Sequence, residues 1–365
     1  MGFNCGIVGL PNVGKSTLFN AITAAGAAAE NYPFCTIDPN IGIVPVPDKR
    51  LDALVNIYKP VKITPTAIEF VDIAGLVRGA SKGEGLGNQF LSHIRDVNAI
   101  CHVVRCFKDD NIIHVDGGID PKRDIEIVET ELILKDLETV EKKLSEAEKK
   151  AKSGDKKYRA EADFYKRVNE HLLGGRLAIY EKPETPDEQL WLRDLHLLTA
   201  KPVMYIANVD EQHLAGEEEY VKRVRELAAK ENAKVVVACT KIEAEIASMP
   251  YDERETFLHE LGVKESGLDQ VIHEGSALLD LITFFTCGPK EVRAWTVKRG
   301  TPAPQAAGEI HTDIERGFIR AEVIKYADIV ALGSEQAVKE KGLLQIEGKE
   351  YLIEDGDIVF YRFNV

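Results

Sequence analysis

Short apolar runs recur along the chain, and most are rich in β-branched residues. Residues 3–8, 41–46, 67–72, 99–106, 202–207 and 234–238 each have the length and composition of a strand. Stretches with helical periodicity, such as 18–25, separate several of them. This alternation predicts an α/β fold: a mostly parallel sheet with helices on both faces.

Two regions break the pattern. From about 124 to 173 the chain is dense in Glu and Lys, and Ile133, Leu137, Val140, Leu144, Ala147 and Ala151 recur at spacings of 4, 3, 4, 3 and 4. That is a heptad-like seam. Ser153-Gly154-Asp155 then interrupts the helix, and Tyr158, Ala162, Tyr165, Val168 and Leu172 form a returning apolar face. The region reads as an antiparallel helical hairpin over 124–195, inserted in a domain spanning 1–280. Most of its charges read as a solvated face. The second region is 281–365. Here 282–286, 293–297, 318–323 and 357–363 read as strands, and the Pro/Gly/Ala-rich stretch 300–308 reads as a loop. A compact α+β module is expected there.

With 44% hydrophobic and 29% charged residues among 365, the composition is that of a soluble globular protein of two or three domains. No apolar run approaches the ~20 residues of a membrane span. The six cysteines show no C-x-x-C pair, and Cys5, Cys101, Cys106 and Cys239 lie in apolar runs. Buried free thiols in a reducing cytoplasm are expected. A net charge of −14 argues against binding DNA through the surface as a whole, and the absence of repeats or sticky apolar stretches favours a monomer.

Chemistry enters directly after the first strand. Gly9-Leu10-Pro11-Asn12-Val13-Gly14-Lys15-Ser16-Thr17 fits G-x-x-x-x-G-K-[ST] between a strand and a helix, the context a phosphate cradle requires. Its backbone N–H groups can point at β-phosphate oxygens, Lys15 can reach the β/γ-phosphates, and Ser16 offers a hydroxyl to Mg²⁺. Asp72-Ile73-Ala74-Gly75 ends a later strand and fits D-x-x-G, where Asp72 holds Mg²⁺ through water and the Gly75 amide senses a γ-phosphate. Between the two motifs Thr36 is the candidate to complete the Mg²⁺ shell. The glycine-rich stretch 78–87 suits a segment that orders around a γ-phosphate.

Two departures from the GTPase pattern narrow the reading. Leu76 follows Gly75 where many GTPases carry a water-orienting glutamine, and leucine cannot hydrogen-bond water. After 202–207, the place of the guanine-reading N-K-x-D is taken by Asn208-Val209-Asp210-Glu211. The stacking lysine is Val209 and the aspartate is Glu211. Weakened guanine preference and ATP use follow. Asn208, Val209 and Glu211 are the candidates at the base, with Cys239 and Thr240 closing the pocket from the next strand.

The phosphate loop, the stretch D-I-A-G-L-V-R-G-A-S-x-G-x-G-L-G-N and the N-V-D-E variant together resemble the YchF/Obg-like ATPase family, over essentially the whole chain. The resemblance implies a translation-factor-class P-loop domain, an inserted coiled-coil hairpin and a C-terminal TGS domain of ubiquitin-like β-grasp form. It implies slow, regulatory ATP hydrolysis with Mg²⁺, a ribosome or ribosomal RNA as partner, a role in translation or stress, and K⁺ held at Asn12. His114 and His93 are the candidates to position water in place of the missing glutamine, His114 the stronger. Cys35 beside Thr36 reads as an inert thiol. A GTPase with a degenerate base motif and a nucleotide-gated RNA-binding adaptor are the alternatives. Lys142-Lys143, Lys149-Lys150, Lys152, Lys156-Lys157 and Arg159 on the hairpin bear on the latter.

Overall fold

The computed structural model describes residues 3–27, 40–73, 93–109, 111–112, 114 and 117–364, apart from the side chains of 251, 252 and 255. Thr36, Cys35, Gly75, Leu76 and the stretch 78–87 lie outside the described residues. The chain forms two compact units, one built from Met1–Ala24, Asp38–Gly42 and Glu69–Val271, the other from Ala25–Ile37, Ile43–Ile68 and Ile272–Val365.

The apolar runs become β1 (Asn4–Val8), β2 (Ile41–Pro45), β4 (Ala67–Asp72), β5 (Ala99–Arg105), β6 (Val203–Asn208) and β7 (Lys234–Ala238), with β3 (Lys62–Thr64) between β2 and β4. All but β3 lie in one six-stranded sheet of order β2-β4-β1-β5-β6-β7. The pairings from β4 across to β7 are parallel. Every residue of β5 is buried, as a central strand covered on both faces requires. The chain builds β2 and β4 on one side of β1 and then β5, β6 and β7 on the other, so the switch point of the sheet falls at the carboxyl end of β1.

The helical hairpin is present, as Pro121–Ala151 and Lys156–Leu173. Asp120 caps the first helix ahead of Pro121 at its first turn, and Asp155 caps the second through Lys157 N at 2.8 Å. Ile133, Val140 and Ala147 pack against Ala162, Tyr165, Val168 and Leu172, with Leu137, Leu144 and Ala151 half-buried beside them. Tyr158 departs from the expected face. It is 37% exposed, beneath the Lys150 ammonium, because it sits in the first turn beyond the end of the seam. Phe164 is buried instead, against Tyr165 and Trp191.

At the root of the hairpin the Tyr205 hydroxyl lies 3.0 Å from Glu129 Oε1 and 2.5 Å from Glu231 Oε2. A hydroxyl carries one hydrogen, so it donates to one carboxylate and is matched to a protonated partner on the other side. Burial, and then the facing Glu231, push the Glu129 carboxyl up to about 8. The neighbouring His102 imidazole is driven down to about 4 by burial and stays neutral. An unfolded glutamate releases its proton near 4.5, whereas folded Glu129 keeps it until about 8. The unfolded state therefore binds fewer protons across that window, and stability falls as pH rises through it. Glu129→Gln, which mimics the protonated form, is expected to raise the urea midpoint at pH 8 and to change little near pH 4.5. An unchanged pH profile in the variant contradicts this account.

The second unit departs from sequence order: besides Ile272–Val365 it takes in Ala25–Ile37 and Ile43–Ile68, which the expected domain 1–280 includes. Its sheet runs β11-β10-β12-β8-β9-β3, with β8 (Leu281–Cys287), β9 (Glu291–Lys298), β10 (Phe318–Ile324), β11 (Gln345–Glu347) and β12 (Ile358–Phe363). β3 lies parallel to β9, Lys62 opposite Glu291 and Thr64 opposite Arg293. The helix Lys49–Tyr58 buries Leu51 and Leu54 against Phe285, Cys287, Val292 and Ala294. Removing that apolar surface from water holds the excursion to this unit. The expected loop at 300–308 is corrected, because Ala303–Ile310 is a helix. Pro302 presets its start, and Ala303, Ala306 and Ala307 are strong helix formers buried in the core.

Candidate nucleotide-binding site

β1 is followed by a turn through Asn12, which has φ 64°, and Gly14, which has φ 98°. The helix Lys15–Ala27 then begins. Its first backbone bond runs from Leu18 N–H to the Gly14 carbonyl at 3.0 Å, so the N–H groups of Lys15, Ser16 and Thr17 precede the intrahelical ladder. They stand at the positive end of the helix, suited to an anion. Val13 anchors the turn with its side chain in the core, while Ser16 and Thr17 are exposed. The Lys15 ammonium, 8% exposed, is bound to Asp72 at the end of β4.

The loop is tied to two further strand ends. Asn208, 3% exposed at the end of β6, donates from Nδ2 to the Val13 carbonyl at 2.8 Å and accepts from Thr240 N–H at Oδ1, 3.1 Å. Thr240 opens the helix Thr240–Ser248 after β7. Asn208 therefore sets the spacing between the phosphate loop and the β7 end, with one amide hydrogen beyond these two bonds. Val209 is buried and its N–H donates to the Ala238 carbonyl at 2.9 Å. The polar atoms expected to face a base at these two residues are thus largely committed to the framework. Cys239 is buried in the core cluster with Val209, where burial pushes its thiol up.

Glu211 is exposed and paired with Lys241 Nζ at 3.1 Å. Asp210 accepts from Gln212 N–H at 3.1 Å and lies 2.5 Å from His213 Nδ1, capping the turn Glu211–His213. Both carboxylates of the segment are occupied. That is a poor arrangement for reading the adjacent N1–H and 2-amino donors of guanine.

His114 lies on the connection after β5. Arg105, 2% exposed, clasps that connection through the carbonyls of Phe107, Asp109 and Ile112 at 3.0–3.2 Å and stacks on Phe107. His114 Nε2 is 2.9 Å from Oδ2 of Asp124, whose side chain is 3% exposed in the first turn of the hairpin helix. The carboxylate fixes the ring orientation, the relation of a base to its orienting acid. His93 is exposed at the start of 93–96. Sequence reasoning missed Arg105 and Asp124 because an arginine ending a strand and an aspartate in a charged helix carry no motif.

The donor set fits Mg²⁺. Ser16 Oγ opens the helix, and the Asp72 carboxylate is held at the same loop by Lys15; both are hard oxygen ligands.

Similarity to known proteins runs the length of the chain. Residues 4–151 match the family MMR_HSR1, described as "50S ribosome-binding GTPase", and residues 281–364 match YchF-GTPase_C, described as "Protein of unknown function (DUF933)". The Ribosome-binding ATPase YchF of Bacillus subtilis (strain 168) is 55% identical over 372 residues, covering 100% of both chains. That of Escherichia coli O157:H7 is 54% identical over 366 residues, again across 100% of both. The solved structure of the Schizosaccharomyces pombe YchF GTPase is 39% identical with a TM-score of 0.90, covering 99% of this chain and 98% of that one. A GTP-binding protein of Pyrococcus horikoshii OT3, 20% identical with a TM-score of 0.61 over 99% and 100% of the two chains, has the same fold.

Proposed function

The chain belongs to the YchF family, and from that premise we propose that it is a ribosome-associated regulatory ATPase of the cytoplasm, hydrolysing ATP slowly to ADP and phosphate. The observation that carries the choice of base is the segment Asn208–Glu211. Glu211 stands in place of the guanine-reading aspartate and is bound to Lys241, while Asp210 is bound to His213. Adenine has no N1 proton or 2-amino group to lose there, so it forfeits nothing.

In this reading the N–H groups of Lys15, Ser16 and Thr17 bind the phosphates, and Lys15 exchanges Asp72 for a β/γ oxygen. Ser16, Thr36 and Asp72 hold Mg²⁺, which supplies charge neutralisation when bound, and Gly75 N–H reads the γ-phosphate. Asn12 is the ligand for K⁺. Thr240 and the Val209 carbonyl border the base. Leu76 cannot orient water, so intrinsic turnover is slow, and His114, oriented by Asp124, positions the attacking water. The nucleotide state is passed through the hairpin and the C-terminal module, read as a TGS domain, to ribosomal RNA.

Competition against a fluorescent ATP analogue with Mg²⁺ and K⁺ tests the reading. ATP is expected to displace the probe at least about tenfold more effectively than GTP. Equal or stronger displacement by GTP overturns it and leaves a GTPase.

A further inference from the structure

The cations of the hairpin are unevenly distributed: those of the stem are spread among glutamates and several are ion-paired, whereas those of the tip are clustered. Along the stem, Lys122, Lys135 and Lys143 pair with Glu126, Glu138 and Glu146 one turn away. At the tip, 149–159 carries Lys149, Lys150, Lys152, Lys156, Lys157 and Arg159 against the single carboxylate Asp155, which is spent capping the second helix. Among the described residues Lys149, Lys152, Lys156, Lys157 and Arg159 have no carboxylate partner, and all five are exposed. This concentration of positive charge stands on a chain whose net charge is −14.

Folding does not account for it. Lys149 and Lys150 end a helix, where the dipole favours cations. Lys156, Lys157 and Arg159 begin one, where the dipole disfavours them, and that first turn contains no acid. A local rule broken without a compensating contact points to function. The first helix spans 31 residues, so it is about 46 Å long, and its root is buried by Ile125, Val128 and Leu132. The tip stands at its far end.

We propose that the hairpin tip is an RNA-binding surface, its unpaired lysines and arginine contacting the phosphate backbone, with Tyr158 available to stack on an unpaired base. A protein partner would require an apolar interface core, and Tyr158 is the one large apolar side chain exposed across 148–160. Phosphate contact requires only cations. The assignment rests on the ribosome-associated reading above and names the surface that serves it.

The test uses the full-length protein, Lys149→Gln/Lys152→Gln/Lys156→Gln/Lys157→Gln/Arg159→Gln, and a stem control, Lys122→Gln/Lys135→Gln/Lys143→Gln. Binding to purified ribosomes and to a protein-free ribosomal RNA transcript is measured across a salt series, with ATP affinity as the check on folding. The tip variant is expected to bind both at least about tenfold more weakly near 0.1 M salt, and its plot of log K against log salt to be shallower by about three. The stem control and all ATP affinities remain as in the parent. Equal ribosome affinity and slope in tip variant and parent overturn the tip assignment alone. Loss on ribosomes while the parent ignores naked RNA overturns RNA in favour of an acidic protein surface. A parent that binds neither overturns the ribosome reading and this inference with it.

Discussion

Gly14→Ala is expected to weaken ATP binding by about 100-fold or more while leaving the fold intact. Two independent costs converge on the position. Its φ of 98° is one that L side chains rarely adopt, a strain of roughly 1–3 kcal/mol. A Cβ there would also sit 2.1 Å from Asn208 Nδ2 and 2.9 Å from Thr240 Oγ1. Asn208 cannot yield cheaply, being buried and bonded to both the Val13 carbonyl and Thr240 N–H. The loop must move, and its N–H groups then lose their common focus. About 3 kcal/mol corresponds to the expected factor. Titration of a fluorescent nucleotide reads the loss, and circular dichroism with urea unfolding reads the fold. Affinity within about threefold of the parent refutes the claim that Asn208 fixes the geometry of the cradle.

Asp136→Ala is expected to give the largest loss of stability, about 3–5 kcal/mol in the first unit. Asp136 is fully buried on the hairpin helix, accepting from Leu198 N–H and Thr199 N–H at 2.8 Å each and from the Thr199 hydroxyl at 2.6 Å. Burial pushes its carboxyl up while these bonds work the other way. Truncation leaves two backbone donors and a hydroxyl buried without an acceptor, at roughly 1–3 kcal/mol apiece. Asp136→Asn keeps an acceptor oxygen and should fall between parent and alanine variant. Urea unfolding followed by Tyr and Trp fluorescence measures the series. A cost below about 1 kcal/mol in the alanine variant excludes Asp136 as the link between the hairpin and the 198–200 turn.

These residues differ in how far they could be read in advance. Gly14, Lys15 and Ser16 belong to a motif whose spacing is dictated by the phosphate. The hairpin seam was legible because Ile133, Val140 and Ala147 repeat with the period of the surface they bury. Asp136 lies in the same helix among many acids, and only its neighbour across 62 residues makes it different. From sequence alone the Asn208 amide is a candidate at the base, whereas its hydrogen bonds tie the loop to the next strand end. The helix Ala303–Ile310 escaped recognition because Pro and Gly at its margins read as breakers when taken alone.

The sequence by itself determined the α/β class, the phosphate cradle, the departure at Glu211 and the hairpin. Each of these follows from local spacing: the period of apolar residues, or a few atoms that must converge on one anion. The tertiary structure decided the assignment of Ile43–Ile68 to the second unit, the clasp of Arg105, the pairing of His114 with Asp124 and the carboxyl pair at Tyr205. It also showed which hairpin cations are ion-paired, Lys122, Lys135 and Lys143 on the stem, and left the clustered tip cations without carboxylate partners among the described residues. All of these depend on which distant groups share a buried volume, and burial decides whether a charge is solvated, paired or protonated.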